Sequence, residues 1–107
     1  MNKVLIHKIR EKSPNYFVAT DVEEEFENHP TLEEMKAMVG DGWIEHIKVI
    51  HEGEDCDALI NEDGKRLELP VNPIATEKYH AWLAKNQLPL EDIIVGDCAI
   101  CTNFNLE

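Results

Sequence analysis

The chain has 107 residues, enough for one domain with its own core and too few for two, so we predict a single domain over residues 1–107. Hydrophobic residues make up 43% and charged residues 30%, a balance typical of folded rather than disordered proteins. Its formal charge of -12 opposes contact with a phosphate backbone. Direct binding of DNA or RNA is therefore not expected, whereas a basic protein partner suits the charge.

The sequence shows no sign of a membrane span or an export signal. No stretch approaches the roughly 20 apolar residues that a membrane span needs. The run Val4–Ile6 is too short for the core of a signal peptide. Three cysteines, an odd number without a secretion signal, favour reduced thiols. A reducing cytoplasm is the expected location.

Two strands are predicted near the N-terminus. Val4–Ile9 has the apolar run of a strand, and Tyr16–Thr20 is a second candidate after the turn-forming residues Ser13–Asn15. The acidic stretch Asp21–Glu27 comes next, and it is compatible with a solvated loop, a helix start or a recognition surface. The residues predicted to contact a partner there are Glu23, Glu24 and Glu25.

A short helix is predicted after the acidic stretch. Thr31 and Glu34 have the spacing of a capping box, in which each side chain satisfies a backbone N–H of the other residue. Apolar residues then recur at helical spacing until Gly40, a residue suited to ending a helix.

The middle of the chain predicts three consecutive antiparallel strands. Trp43–Ile50 alternates in polarity, and the loop His51–Asp55 leads into a second strand, Cys56–Ile60. Asp63-Gly64 is a pair favoured in tight hairpin turns, because both central residues of such a turn need positive φ. Arg66–Leu69 is therefore the expected return strand.

The last third of the chain predicts one more helix and one more strand. Asn72 is a good N-cap, Pro73 fits the first helical position, and an apolar stripe continues to Asn86. Ile93–Cys101 is apolar on both faces, as expected of a central strand covered on both sides. The elements together predict an α+β fold, a mostly antiparallel sheet of four to six strands with two helices.

Ordered motifs give the chain a resemblance to a known family. Asn61–Lys65 fits asparagine-glutamate-x-glycine, Leu69–Thr76 fits leucine-proline-x-asparagine-x-x-alanine-threonine, and Ile94–Asp97 fits isoleucine-x-glycine. Gly42–Glu45 matches the strand that usually precedes them. Over roughly residues 39 to 102, the chain resembles phage and bacterial domains of unknown function, family number 3846. The resemblance implies a phage or mobile-element setting and carries no activity.

Some motif residues have roles in folding, and the others are candidates for a ligand site. The predicted hairpin explains Gly64, and the helix start explains Asn72 with Pro73. A helix N-terminus offers free N–H groups to an anion, and Lys65 and Arg66 would supply positive charge. Solvated surface side chains are the alternative interpretation. The candidate ligand-binding residues are Glu62, Lys65, Arg66, Asn72 and Thr76.

Metal and catalytic sites find little support in the sequence. Cys98 and Cys101 have the spacing of a zinc or redox pair, but residues three apart in a strand point to opposite faces. His46 and His51 lie among carboxylates, although polar residues at strand ends usually face water. Neither a phosphate-binding loop nor a nucleophile elbow occurs. We therefore predict no metal, no cofactor and no catalytic residue.

Three functions remain as hypotheses. The first is a non-catalytic, phage- or mobile-element-encoded protein that binds a host protein or a small anionic, nucleotide-type ligand and counters host defence. The second is an acidic mimic of nucleic acid that inhibits a DNA-binding host protein. The third is a small metal-assisted hydrolase centred on His46 and His51. A homodimer is also an expectation, because antiparallel sheets of this size often expose an edge.

Overall fold

Five antiparallel strands and two helices build the part of the chain that the structure, a computed structural model, describes, residues 1–106. The strands are β1 (Asn2–Ser13), β2 (Tyr16–Phe26), β3 (Ile44–His51), β4 (Glu54–Asn61) and β5 (Cys98–Cys101). The helices are α1 (Leu32–Met38) and α2 (Pro73–Lys85). All strands belong to one sheet of order β2-β1-β5-β4-β3. The predicted α+β class, with four to six mostly antiparallel strands and two helices, is confirmed.

The sheet is covered on both faces. Ala58 and Leu59, neighbours on β4, belong to different hydrophobic clusters, which places the two clusters on opposite faces. Ala75 of α2 belongs to the first cluster and Met38 of α1 to the second, so each helix covers one face. All four residues of β5 are buried, as expected of a central strand covered on both sides.

Both helices begin at the predicted caps. The Thr31 hydroxyl accepts from the backbone N–H of Glu34, whose carboxylate accepts in return from the N–H of Thr31. At α2, the Oδ1 atom of Asn72 accepts from the N–H of Ala75, and Pro73 occupies the first turn. Neither helix within residues 1–106 is long and apolar enough to cross a membrane.

The acidic stretch, apart from Glu27, forms the second half of an edge strand. β1 pairs with β2 from Asn2 opposite Phe26 to Glu11 opposite Phe17, with Asn15 at φ 63° in the turn between them. No residue of β2 is buried. β5 pairs with β1 only over Val4–His7, so the far half of the hairpin extends beyond the central sheet, and residues 11–17 are all exposed.

The tight hairpin turn lies in a different place from the predicted one. Glu52 and Gly53 have φ of 51° and 80° and join β3 to β4 in the segment predicted to be a longer loop. Gly64 does not have positive φ, and a Cβ there would lie 2.8 Å from Cγ2 of Val95. Asp63-Gly64 is therefore not a hairpin turn, and Gly64 is needed because the chain passes close to Val95.

The predicted return strand Arg66–Leu69 is wrong. Local hydrogen bonds satisfy the backbone there, including Leu67 N–H to the Asp63 carbonyl and Leu69 N–H to the Gly64 carbonyl. These residues form turns instead of a ladder beside β4. The last predicted strand, Ile93–Cys101, is also too long, because Gly96 has φ of 76° and interrupts extended backbone.

Candidate functional site

Asn72, a candidate ligand residue, is fully buried and uses its side-chain amide within the protein. Its Nδ2 group donates to the carbonyls of His7 and Gly96, each at 2.9 Å, while its Oδ1 atom caps α2. One side chain thus joins β1, the turn before β5 and the start of α2. This network leaves Asn72 no exposed polar atom for a ligand.

Thr76 and Gly96 belong to the same junction. The Thr76 hydroxyl accepts from the N–H of Ile94 at 2.9 Å and lies 3.3 Å from the carbonyl of that residue. A Cβ at Gly96 would lie 2.7 Å from Cδ1 of Leu69. The second and third motifs of the family pattern therefore contact each other directly, and the Thr76 hydroxyl connects them by hydrogen bonds to Ile94.

Glu62, Lys65 and Arg66 lie exposed at the surface, and both cations contact carboxylates of the same chain. Glu62 and Lys65 line a cavity of about 80 Å³ that also includes Asp92. Lys65 is paired with Asp92, and Arg66 is paired with Asp63 at 3.3 Å. The structure thus brings two of the five candidates together in a small cavity and neutralises both cations.

A chain of polar groups beneath α2 was not predicted from the sequence. Nδ1 of His7 lies 2.6 Å from Oδ1 of Asp21, and Nε2 of His7 lies 2.8 Å from Nζ of Lys78. The same Nζ atom lies 2.8 Å from Nδ1 of His51. The His7 side chain is 4% exposed and that of His51 is 14% exposed, so both contacts are shielded from water.

The partners of each histidine determine which of its ring nitrogens donates a hydrogen bond and which accepts one. A carboxylate only accepts and an ammonium only donates, so His7 donates from Nδ1 to Asp21 and accepts at Nε2 from Lys78. His51 likewise accepts at Nδ1. Burial, with the positive charge of Lys78 second, lowers the pKa of His51. The His51 imidazole is therefore held in its neutral form beside the Lys78 ammonium, and protonation of His51 would remove this contact.

Asp57 is a second buried charge, on the other face of the sheet. Its carboxylate accepts from Lys48 at 2.5 Å, from His46 at 2.8 Å and from the backbone N–H of Leu106 at 2.9 Å. Although burial opposes ionisation, these partners lower the pKa of Asp57 to about 2. The Asp57 carboxylate therefore connects the C-terminal segment to β3 and β4 by hydrogen bonds.

Asp97, which follows Gly96 of the last motif, binds β1 on the same face of the sheet as α1. Its carboxylate binds both terminal nitrogens of Arg10, at 2.6 and 2.9 Å, and accepts from the backbone N–H of Ile9. Ile9 and Arg10 lie just past the part of β1 that pairs with β5. Asp97 thus continues the attachment of β1 where the β5 ladder ends.

The cysteines and histidines considered as metal ligands do not converge. Cys98 and Cys101 are both buried, and strand alternation directs them to opposite faces. Burial raises the pKa of each of these thiols to about 12. His46 contacts Asp57 on one face, whereas His51 contacts Lys78 beneath α2. Within residues 1–106, no group of three His, Cys, Asp or Glu residues is placed to hold a metal ion.

The carboxylates of the acidic stretch are all exposed, and we call this set of residues the acidic edge. Alternate residues point to opposite faces of β2, so Glu24 lies on the α1 face and Glu23 on the α2 face. On the α1 face, Glu24 and Glu34 line a cavity of about 280 Å³ together with the cations Lys8 and Arg10. The acidic edge consists of Asp21, Glu23, Glu24, Glu25 and Glu27.

Comparison with known proteins identifies a family. The model described as "Domain of unknown function (DUF3846)" matches residues 6–105. The chain belongs to the DUF3846 family. The matched range takes in β1, β2 and the acidic edge of this DUF3846 chain, beyond the residues 39 to 102 that the motifs indicated. No match was found among curated proteins or solved structures.

The family motifs of this DUF3846 chain are accounted for largely by its fold. Gly64 and Gly96 sit where the chain approaches itself closely, and Asn72 and Thr76 bind backbone groups. Glu62 is the exception, because its carboxylate is exposed and has no hydrogen-bond or ion-pair partner in the described chain. No sequence signal links His7, His51 and Lys78, because only strand order and the position of α2 bring them together.

Proposed function

We propose that this DUF3846 protein is a non-catalytic binding protein whose acidic edge engages a basic surface of another protein. One observation carries the proposal: the carboxylates lie on an edge strand with no buried residue. Both faces of that strand are therefore open to a partner. In its concrete form, a phage or mobile element encodes the protein, and the partner is a host protein whose defensive activity is blocked.

The electrostatics of the acidic edge support a protein partner. Glu23 and Glu24 have no cationic partner in the part of the chain described, and the nearest contact of Glu25 is Lys3 at 3.9 Å. An ion pair that long and exposed contributes little stability. Glu23 and Glu24 thus keep their charges without an ion pair, and exposed charge of one sign accelerates association with an oppositely charged partner.

The predicted ligand residues give weaker support to a small anionic ligand. Lys65 and Arg66 are paired with carboxylates of the same chain. The cavity of about 80 Å³ that Glu62 and Lys65 line is far smaller than the roughly 300 Å³ at which pockets for drug-sized ligands begin. An acidic chain in which Lys65 and Arg66 are already paired is better suited to a basic macromolecule than to a free nucleotide.

The experiment compares two variants of equal net charge. The test variant carries E23Q, E24Q and E25Q, and the control carries E54Q, E68Q and E91Q at exposed positions outside the acidic edge. Each protein is immobilised and exposed to lysate of a bacterial host. We expect the wild type and the control to retain a common protein that the test variant loses. Equal retention by both variants would contradict the proposal.

Mimicry of nucleic acid is the second candidate function. Asp21, Glu23 and Glu25 form a row on one face of β2, spaced about 6.7 Å apart as alternate residues of a strand. The row is partly neutralised, because Asp21 is bonded to His7 and Glu25 lies near Lys3. Duplex DNA separates the two functions. If the acidic edge occupies a DNA-binding site of the captured host protein, added DNA should release that protein from the immobilised chain. If the host protein stays bound, mimicry of nucleic acid is contradicted.

A further inference from the structure

The β2 edge has two separate sets of groups available for contact. Its side chains project above and below the sheet, whereas its outward backbone N–H and C=O groups point away from β1 along the sheet plane. β2 has 11 residues and forms one end of the sheet. A strand added to this edge would leave the carboxylates of the acidic edge accessible.

We propose that β2 pairs antiparallel with β2 of a second copy of this chain, about a twofold axis at Thr20. The result is a continuous ten-stranded sheet. A twofold axis perpendicular to the sheet keeps each face on its own side, so residues opposite each other have numbers with an even sum. Only a few registers satisfy this condition, and they differ in which charged side chains they place opposite each other.

The register centred on Thr20 avoids contact between like charges directly across the interface. It places Val18 opposite Val22, Phe17 opposite Glu23, and Tyr16 opposite Glu24 of the second copy. Moving the centre to Asp21 sets two carboxylates face to face, which is unfavourable. Moving it to Ala19 shortens the overlap. The Thr20 register is thus the longest in which no carboxylate faces another.

The charge distribution of the hairpin complements itself in this arrangement. The acidic edge contributes five carboxylates and no cation, whereas residues 8–18 contain Lys8, Arg10 and Lys12 against Glu11 alone. Arg10 is paired with Asp97, so Lys8 and Lys12 are the cations left to face the second copy. Antiparallel pairing lays the acidic half of each hairpin beside the far half of the other. The cations then lie about 10 Å, two strand spacings, from the acidic strand, roughly one Debye length at moderate salt.

Exposed aromatic residues support the same partner. Tyr16 is 60% exposed and Phe17 is 43% exposed at the end of the hairpin. In the Thr20 register, their rings cover the aliphatic stems of Glu24 and Glu23 of the second copy, and each ring would lose water-exposed area. The interface thus combines backbone hydrogen bonds with apolar contact, and it needs no further protein.

Light scattering over a dilution series gives the first test, because the dimer has twice the 12.3 kDa of one chain. Phe17→Glu places a carboxylate opposite Glu23, whereas Phe17→Lys places a cation there. We expect the dimer dissociation constant of F17E to exceed that of F17K by about ten-fold or more, since two such pairs form per dimer. A wild type that is monomeric at every concentration would overturn the proposal.

Cross-linking tests the register independently of charge. Thr20→Cys places two thiols on the axis, with Cα atoms about 4.5 to 5.5 Å apart, within the range of a disulfide. Glu24→Cys is the matched control, because its two copies lie about 26 Å apart in this register. The native cysteines are all buried. We expect oxidation to link T20C much faster than E24C, and equal rates would refute the pairing.

Discussion

The ammonium of Lys78 lies 2.8 Å from Nε2 of His7, and this contact ties α2 to a β1 residue 71 positions earlier in the chain. His7 in turn binds Asp21 of β2 at 2.6 Å. The edge strand is therefore connected to the helix through a buried imidazole rather than through apolar packing alone. Changes in this chain of polar groups should be detectable far from the residue that is altered.

Replacing Lys78 with methionine should raise the pKa of His51. The positive charge of Lys78 lowers that pKa at present, next in importance to burial, and the substitution removes the charge while keeping much of the volume. NMR titration of the His51 ring measures the shift. Lys85→Met is the matched control, because Lys85 pairs with Asp55 at the surface. A His51 pKa that is the same in K78M and wild type would contradict the account.

Mild acid should destabilise the protein through His51. Its folded-state pKa lies below the ordinary value of 6.5, so below about pH 6.5 the unfolded state binds more protons than the folded state. The free energy of unfolding then decreases as the pH falls from about 6.5 toward the folded pKa. Urea denaturation at several pH values measures this slope. His51→Gln should reduce it, and an unchanged slope would show that His51 is not responsible.

Replacing Asn72 with alanine should cost about 2 to 4 kcal/mol of stability, because a helix cap is lost and two buried carbonyls lose their donor. Denaturation in urea gives the value. Asn86→Ala is the control at the other end of α2, where the exposed amide makes one bond to the Trp82 carbonyl. A cost for N72A no larger than that of N86A would argue against the interlocking junction.

Gly96→Ala should destabilise the fold more than Gly53→Ala. Both glycines have positive φ, 76° and 80°, and an alanine in that conformation costs about 1 kcal/mol. At Gly96 the new methyl group would also meet Leu69 at 2.7 Å, whereas at Gly53 it meets open space. Thermal or urea denaturation measures the loss of stability in G96A and in G53A, and the difference between the two losses gives the cost of the contact with Leu69. Equal losses would mean that Leu69 moves aside freely.

The thiols should be inert in the folded protein. Cys98 and Cys101 are buried with pKa values of about 12, and burial also raises the pKa of Cys56. Because the thiolate is the reactive form, a thiol reagent at about pH 8 should modify these residues slowly until denaturant is added. The time course of absorbance measures this. Rapid labelling of the native protein would show that β5 opens readily.

Local signals in the sequence were sufficient for the helices and insufficient for one turn. Thr31 with Glu34 and Asn72 with Pro73 predicted both helix starts, because a cap depends on residues only three positions apart. Asp63-Gly64 resembled a hairpin turn, yet Val95, more than 30 residues later, decides the conformation at Gly64. The tight turn lies instead at Glu52-Gly53, which joins β3 directly to β4.

For the candidate sites, too, the sequence identified residues by their type, whereas their partners depend on distant parts of the chain. Glu23, Glu24 and Glu25 were identified from the density of charge alone, although their position on an edge strand depends on strand order, which the sequence does not reveal. Asn72 and Thr76 were identified as polar groups, but their partners lie on β1 and in the Ile94–Gly96 segment. The contacts of Lys78 with His7 and His51 depend on α2 crossing the sheet between β1 and β3, which no local pattern encodes.

The association rate of the retained partner tests the acidic edge most directly. For the wild type we expect a rate constant that falls steeply as the ionic strength is raised from about 0.05 M to about 0.3 M, because salt screens the attraction. The E23Q, E24Q, E25Q variant should associate slowly and with little salt dependence, while the E54Q, E68Q, E91Q control follows the wild type. A test variant that matches the wild type in both rate constant and salt dependence would contradict the proposal.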